Sequence, residues 1–404
     1  MTKNYSLMII ILFWCGLVIL MSMYLTIPLG DAFSKAFDVT ITQAAWVGSA
    51  FSICYAIGCL IYGPFSDKYG RKIFLVTSIC ALTGITIIIG FVNDFYALIV
   101  LRAIQGLVAA AFAPISLVYA SEMFPKERTL TALGFISSGL LMAGVLGQVY
   151  GGIINENFGW HGIFFILGIV YFITGILVLW MLPKEEKVNS EGSVYKKFKQ
   201  MALLFKKKQL LFIYSITFML LFSLVGTYTV LGSYLSSPKF GLSSETIIYI
   251  RAVGMVGMLL SPFAGRLSKK FGILIVLRIG LILTVLGLVS IGITNFLPFI
   301  ILTSVIYVAG ISLVVPVALQ LIGQLAGEVR GSAISFNAFI LFLGASVGPI
   351  FATSFIKAEQ FILSFFILGI MLLGGLDISF LVRVSGAPNI KKIPSEQIQG
   401  NPVD

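Results

Sequence analysis

The stretch GPFSDKYGRK, residues 63–72, interrupts a chain that is otherwise close to unbroken hydrocarbon. Long apolar runs precede and follow it. Gly63, Pro64 and Gly70 disfavour a helix or favour a turn. Asp67, Lys68, Arg71 and Lys72 place four charges within six residues. A bilayer expels such a segment, so the stretch is expected as a tight turn at a membrane surface, joining two spans. A degraded copy, GRLSKKFG, stands at residues 265–272, 202 positions later. The chain therefore reads as a duplication.

Composition agrees with a membrane setting. Of 404 residues 58% are hydrophobic and 11% charged, and mean hydropathy is +1.04; soluble domains average about 45–50% apolar and about 25% charged. No soluble catalytic domain is legible, and the chain is not expected to be an enzyme. The net charge of +11 does not point to nucleic acid, because the basic residues sit in short loops, where they set membrane orientation. Cys15, Cys54, Cys59 and Cys80 all fall inside apolar runs and read as small core residues rather than disulfides or metal ligands. No metal or cofactor is expected. The first apolar run is long enough to span and has no small-residue cleavage site, so it does not read as a signal peptide.

A spanning helix needs about 20 apolar residues. Twelve such runs are present: 6–28, 43–64, 73–92, 96–121, 130–154 and 162–182, then 210–236, 245–264, 273–293, 297–319, 331–356 and 361–382. With the N-terminus inside, twenty-one lysines and arginines fall on cytoplasmic segments. Three, Lys35, Lys239 and Lys357, fall outside. This bias predicts a multi-pass protein of the cell membrane with both termini cytoplasmic. The longest internal hydrophilic stretch divides six runs from six. The expected organisation is a bundle over 1–182, a cytoplasmic linker over 183–209, a second bundle over 210–383 and a tail over 384–404. The linker segment YKKFKQMALLF reads equally as a basic amphipathic helix on the membrane and as a solvated connection.

The repeat extends beyond the charged turn. At the same offset Gly63 pairs with Gly265, Gly70 with Gly272, Asn93 with Asn295, Pro114 with Pro316 and Arg128 with Arg330. FFILGI at 164–169 recurs at 365–370. The expected fold is an all-α integral membrane protein, with twelve transmembrane helices in two pseudo-symmetric six-helix bundles. Such parallel repeats place a substrate site near the bilayer midplane between them.

The pattern Gly63, Asp67, Gly70, Arg71, Lys72 resembles the loop 2–3 signature of the major facilitator superfamily. Helix count, linker and repeat extend the resemblance over nearly the whole chain. The resemblance implies a gating cluster that latches the two halves on the cytoplasmic side. Glu122, at the cytoplasmic end of the fourth run, is a candidate partner for Arg71. The bland alternative is a set of interfacial anchors. The second copy has Lys269 in place of Asp67, so its latch is degraded.

Two further stretches resemble the drug/proton antiporter branch of that family. Arg102, Gln105 and Gly106 form an R-x-x-Q-G pattern of the kind implicated in proton coupling. Arg102, Gln105, Ala109 and Phe112 share one helical face. An arginine within a span is a functional candidate by default, while its position near the helix start also allows it to snorkel to the headgroups. Gly139, Ala143, Gly147 and Gly151 are spaced by four and make a smooth packing face. The run Ala143, Gly147, Gly151, Gly152 resembles the antiporter signature, although Gln148 replaces its proline.

Substrate chemistry is thinly written. Asp31 stands just after the first apolar run, at its outer end, and joins the Arg102 region as a proton-coupling candidate. Arg102, Arg251 and Arg278 lie within apolar runs, a balance leaning toward neutral, zwitterionic or anionic solutes. Tyr24, Phe112, Phe222 and Tyr228 fall on helices that line the cavity in this family. With Arg102 and Arg251 they are the expected substrate-binding set. The reading is a monomeric secondary transporter in the lipid bilayer, exporting a small organic solute or drug by proton antiport through alternating access. An alternative is a dedicated exporter of an anionic or zwitterionic metabolite such as a metal-chelating metallophore; a third is a non-transporting membrane sensor.

Overall fold

The computed structural model describes residues 4–184 and 204–383, and among these every regular element is helical. The first bundle holds α1 (Tyr5–Tyr24), α2 (Trp46–Tyr69), α3 (Arg71–Ile89) and α4 (Phe95–Met123). A continuous run, Lys126–Met181, then carries α5 and α6. The second bundle holds α7 (Lys208–Ser236), α8 (Glu245–Phe271), α9 (Ile273–Ile293), α10 (Leu297–Ala326), α11 (Arg330–Lys357) and α12 (Phe361–Leu381). Eleven stretches are long and apolar enough to cross a bilayer. The longest breaks at Gly159, whose φ of 71° and ψ of 172° lie outside the helix. Residues 126–158 and 160–181 therefore make two crossings, and the described residues make twelve. A short helix, Gly30–Phe37, lies between α1 and α2.

The charged stretch is not the turn expected of it. α2 stays helical through Pro64 to Tyr69, and Gly70 alone, at φ 104° and ψ 146°, joins it to α3. Gly272 repeats this geometry between α8 and α9 at φ 92° and ψ 146°. The physical reason is that a helix satisfies its own backbone wherever it lies. Charges on its last turn need only reach the water beyond the apolar layer, so nothing forces the chain to unwind. Glycine alone takes that φ without strain.

The duplication shows in the packing. In the first half α1 packs on α5, α2 on α4 and α3 on α6; in the second, α7 packs on α11, α8 on α10 and α9 on α12. The halves meet along α2 with α11 and along α5 with α8. Exchanging α2 with α8 and α5 with α11 maps one seam onto the other. α4 is interrupted at Ala110 and Ala111, just before Pro114, where the proline cannot donate to the preceding turn. The middle of α8 tightens to a 3-10 helix, Met255–Phe263, which contains Pro262. The linker segment YKKFKQMALLF, read equally as a surface helix or a solvated connection, falls largely outside the described residues.

Candidate functional site

On the face where α1 begins and α12 ends, the terminal face, Arg71 opens α3 and Glu122 closes α4. Each charge is unfavourable for its own helix dipole, a cation at an N-terminus and an anion at a C-terminus. Together they neutralise one another. Arg71 donates from Nη2 to Glu122 Oε1 at 2.9 Å and from Nε to Oε2 at 3.3 Å, and its Nη1 donates to Ser66 Oγ at 2.6 Å. The arginine is buried while the glutamate is about one-third exposed. Lys72 Nζ donates to the Leu179 carbonyl at 2.8 Å, binding the α3 start to the α6 end. Asp67 lies on the last turn of α2, and its side chain is outside the described residues.

The second half reaches into this cluster. Arg330 Nη1 donates to the Ser121 carbonyl at 3.3 Å, at the end of α4. Gly63 faces Ser335 of α11 so closely that a methyl group there would collide with the serine hydroxyl. Gly134 of α5 meets the Ser261 backbone of α8 in the same way. Ser261 Oγ donates to the Gly134 carbonyl at 3.0 Å, and Ser138 Oγ to the Met258 carbonyl at 3.1 Å. The halves are thus shut against one another on this face. Glu122→Gln is expected to weaken the closed cluster by about 1.5–3 kcal/mol, the range for a hydrogen bond to a charged group. A double-mutant cycle with Arg71→Gln, read by thermal unfolding of purified protein, measures it; additive losses would show that the pair is not coupled.

Arg102 does not snorkel. It is fully buried at the meeting of five helices. Nη2 donates to the Ser22 carbonyl of α1 at 2.8 Å, Nε to the Val47 carbonyl of α2 at 3.4 Å, and Nη1 to Gln105 Oε1 at 2.5 Å. Gln105 Nε2 donates onward to Thr86 Oγ1 of α3 at 2.7 Å. The guanidinium lies 4.4 Å from the Phe51 ring centroid and 6.0 Å from that of Phe164 on α6. Gly106 makes the approach possible, because a Cβ there would strike the Phe51 carbonyl. In the second half the offset of 202 puts Ser304 and Tyr307 in these places. There the Tyr307 hydroxyl bonds Ser223 at 2.8 Å and Thr227 at 3.3 Å. A charged clamp in one half corresponds to a neutral one in the other.

The smooth face of α5 packs on α1. A side chain at Gly139, Gly147 or Gly151 would collide with the carbonyls of Phe13, Met21 or Leu25, and Ala143 is buried between them. Gly152 faces open space and stands outside this contact. Gln148, in the place of the signature's proline, donates to the Gly144 carbonyl at 2.7 Å and accepts from Arg251 Nη1 at 3.2 Å across the two halves.

Between the halves lies a cavity of about 550 Å³. It runs from Leu117, Leu319 and Phe342 in the interior to Ile27, Ser236 and Ile247 near the helix ends opposite the termini. Of the residues named from the sequence, Tyr24, Tyr228 and Arg251 line it. Phe112 and Phe222 do not. Phe112 is buried, and Phe222 stacks on Phe218 and meets the Phe351 ring at a tilt; helical position gives a face and not what covers it. Arg102 is likewise enclosed away from the cavity. Asp31 is exposed on the short helix after α1 and is not among the lining residues. Ser137, Leu141 and Gly144, which the sequence reading passed over, line one face of α5 together with Gln148. Their helical spacing, next to the stripe of small residues, was the available signal.

Two similarly packed helix bundles with a cavity between them and an ion-paired cluster at one set of helix ends are one architecture, and the comparisons with known proteins agree. The model of the Major Facilitator Superfamily matches residues 12–349 and 239–402. The chain belongs to the major facilitator superfamily. Within this superfamily it is 29% identical over 378 residues to a transporter of Buchnera aphidicola subsp. Schizaphis graminum, covering 92% of this chain and 91% of that one. It is 26% identical over 313 residues to the multidrug resistance protein MdtG of Proteus mirabilis, covering 76% and 77%. The solved structure of the proton:xylose symporter XylE superposes with a TM-score of 0.72 at 14% identity, covering 94% of this chain and 96% of that one, a likeness of fold. The protein is thus a multi-pass membrane transporter of that superfamily.

Proposed function

We propose that the protein is a secondary carrier that expels an amphipathic organic solute by alternating access, in exchange for protons. The observation that carries the reading is the cavity of about 550 Å³ at the seam of two halves, shut on the terminal face where Gly63 meets Ser335 and Gly134 meets Ser261. A cavity of this size and apolar lining suits a drug-sized molecule. The excess of basic residues in the loops on this face supports its lying in the cytoplasm of a cell membrane, and a cavity shut there would open outward. Export is in keeping with the multidrug resistance protein among the relatives. The proton exchange rests on the resemblance of Arg102, Gln105 and Gly106, and of the α5 stripe, to the antiporter branch. A carrier needs a closure between its halves that can open, and Arg330 of the second half, donating to the Ser121 carbonyl beside the Arg71–Glu122 pair, supports that reading over a sensor.

The test is flux in inside-out vesicles containing the full chain, offered a cationic dye, a neutral drug and an anionic chelator under an imposed pH gradient. Accumulation of one probe that collapses on adding a protonophore is the expected result. Movement that ignores the protonophore would remove the proton exchange, and no movement of any probe would remove the carrier reading.

A further inference from the structure

We propose that the solute is an organic anion whose acidic group docks on Arg251 while its apolar body lies along the cavity wall. This deepens the carrier reading above and rests on it. Three arginines lie within spans, and they differ in what can reach them. Arg102 is sealed among its own helices. Arg278 stands outside the cavity, with Nη2 donating to the Ser379 carbonyl at 3.5 Å and its guanidinium 4.3 Å from the Phe380 ring centroid. Arg251 alone lines the cavity, and among the described residues that line it no other carries a charge.

The guanidinium of Arg251 is seated without being neutralised. Nη2 donates to the Tyr228 carbonyl at 2.9 Å and Nη1 to Gln148 Oε1 at 3.2 Å. Both acceptors are uncharged, so a full positive charge remains. Its Nε is buried and has no hydrogen-bond partner. Gly232 supplies the seat, because a methyl group there would collide with Nη2. A held cation with a spare donor, in a space walled by Leu140, Met258, Val315 and Phe342, draws an oxyanion far more strongly than it would in water. An organic cation meets like charge in the same place. Deeper on α5, the Ser137 hydroxyl is buried, lines the cavity and has no partner. It offers the far end of the solute a second polar contact.

The experiment uses three probes that share a body and differ in the head: naphthylacetate, naphthylacetamide and naphthylmethyl-trimethylammonium. Their binding to the full chain in nanodiscs of neutral lipid is measured by equilibrium dialysis, and their flux in proteoliposomes. The carboxylate is expected to bind roughly tenfold or more tightly than the amide, and the ammonium weakest. Arg251→Gln should bring the carboxylate-to-amide ratio near one. Arg251→Lys should keep part of it, and Gly232→Ala should lower it by displacing the guanidinium with its charge intact. Arg278→Gln, outside the cavity, should leave the ratio as it was. Equal flux of all three probes would overturn the anion assignment while leaving the carrier standing. So would an unchanged ratio in a folded Arg251→Gln protein. Selective binding without flux would keep the anion site and overturn the carrier.

Discussion

Arg102→Met is expected to destabilise the first bundle by about 1–3 kcal/mol for each buried acceptor left without a donor. Methionine is close in length and apolar, so the loss is one of hydrogen bonds and charge more than of volume. Gln105 Oε1 and the Ser22 and Val47 carbonyls lose their donor together, and α1, α2 and α4 lose the group that ties them. Arg102→Lys keeps the charge but not the fork that reaches Ser22 and Gln105 at once, and it should recover less than half of the loss. Denaturant unfolding of the purified protein measures both. A methionine variant with unchanged stability and abolished flux would show that Arg102 acts in coupling and not as a clamp.

Gly134→Val is expected to abolish transport with the fold intact. The new side chain has nowhere to go, since the Ser261 carbonyl and the Pro262 backbone of the other half already occupy the space. The clash exists only while the terminal face is shut. Overpacking costs about 1–3 kcal/mol, which shifts the balance between the two states roughly 5- to 150-fold. The carrier should therefore rest with its terminal face open. The check is a single cysteine at Leu140, on the cavity wall, in a chain whose four native cysteines are replaced by alanine. An impermeant maleimide should label the unsubstituted carrier from the face opposite the termini and the valine variant from the terminal face. Labelling of both from one face would mean that Gly134 does not govern closure.

What the sequence revealed and what it hid follow from one distinction. Transfer from water to lipid is read locally, so twelve apolar runs could be counted and the pairing of Arg71 with Glu122 anticipated from charge at two helix ends. Closeness between helices is not local. The depth of Arg102 depends on Gly106 letting α2 come near, and that partner lies more than fifty residues away. Phe112 and Phe222 were placed on the cavity because their helices border it, yet neighbouring side chains cover them. The charged stretch at 63–72 was read as a loop because its charges were weighed and its backbone was not. Gln148 was noticed only as a missing proline, whereas its amide joins the two halves through Arg251.

The clamp on Arg102 also sets an order of manufacture. An arginine at the centre of a span costs about 2.5–3.5 kcal/mol to insert on its own, and one nearer the end, such as Arg102, somewhat less. The carbonyls that receive it belong to Ser22 and Val47, and Gln105 is steadied by Thr86. All three stand earlier in the chain, so a ribosome has delivered α1, α2 and α3 before Arg102 enters the bilayer. α4 arrives in a membrane where its acceptors already wait. The equivalent place in the second half is Ser304, and α10 can be laid down without such preparation. A gene rearranged to synthesise α4 ahead of its three predecessors would yield the same residues and strand a charge in hydrocarbon.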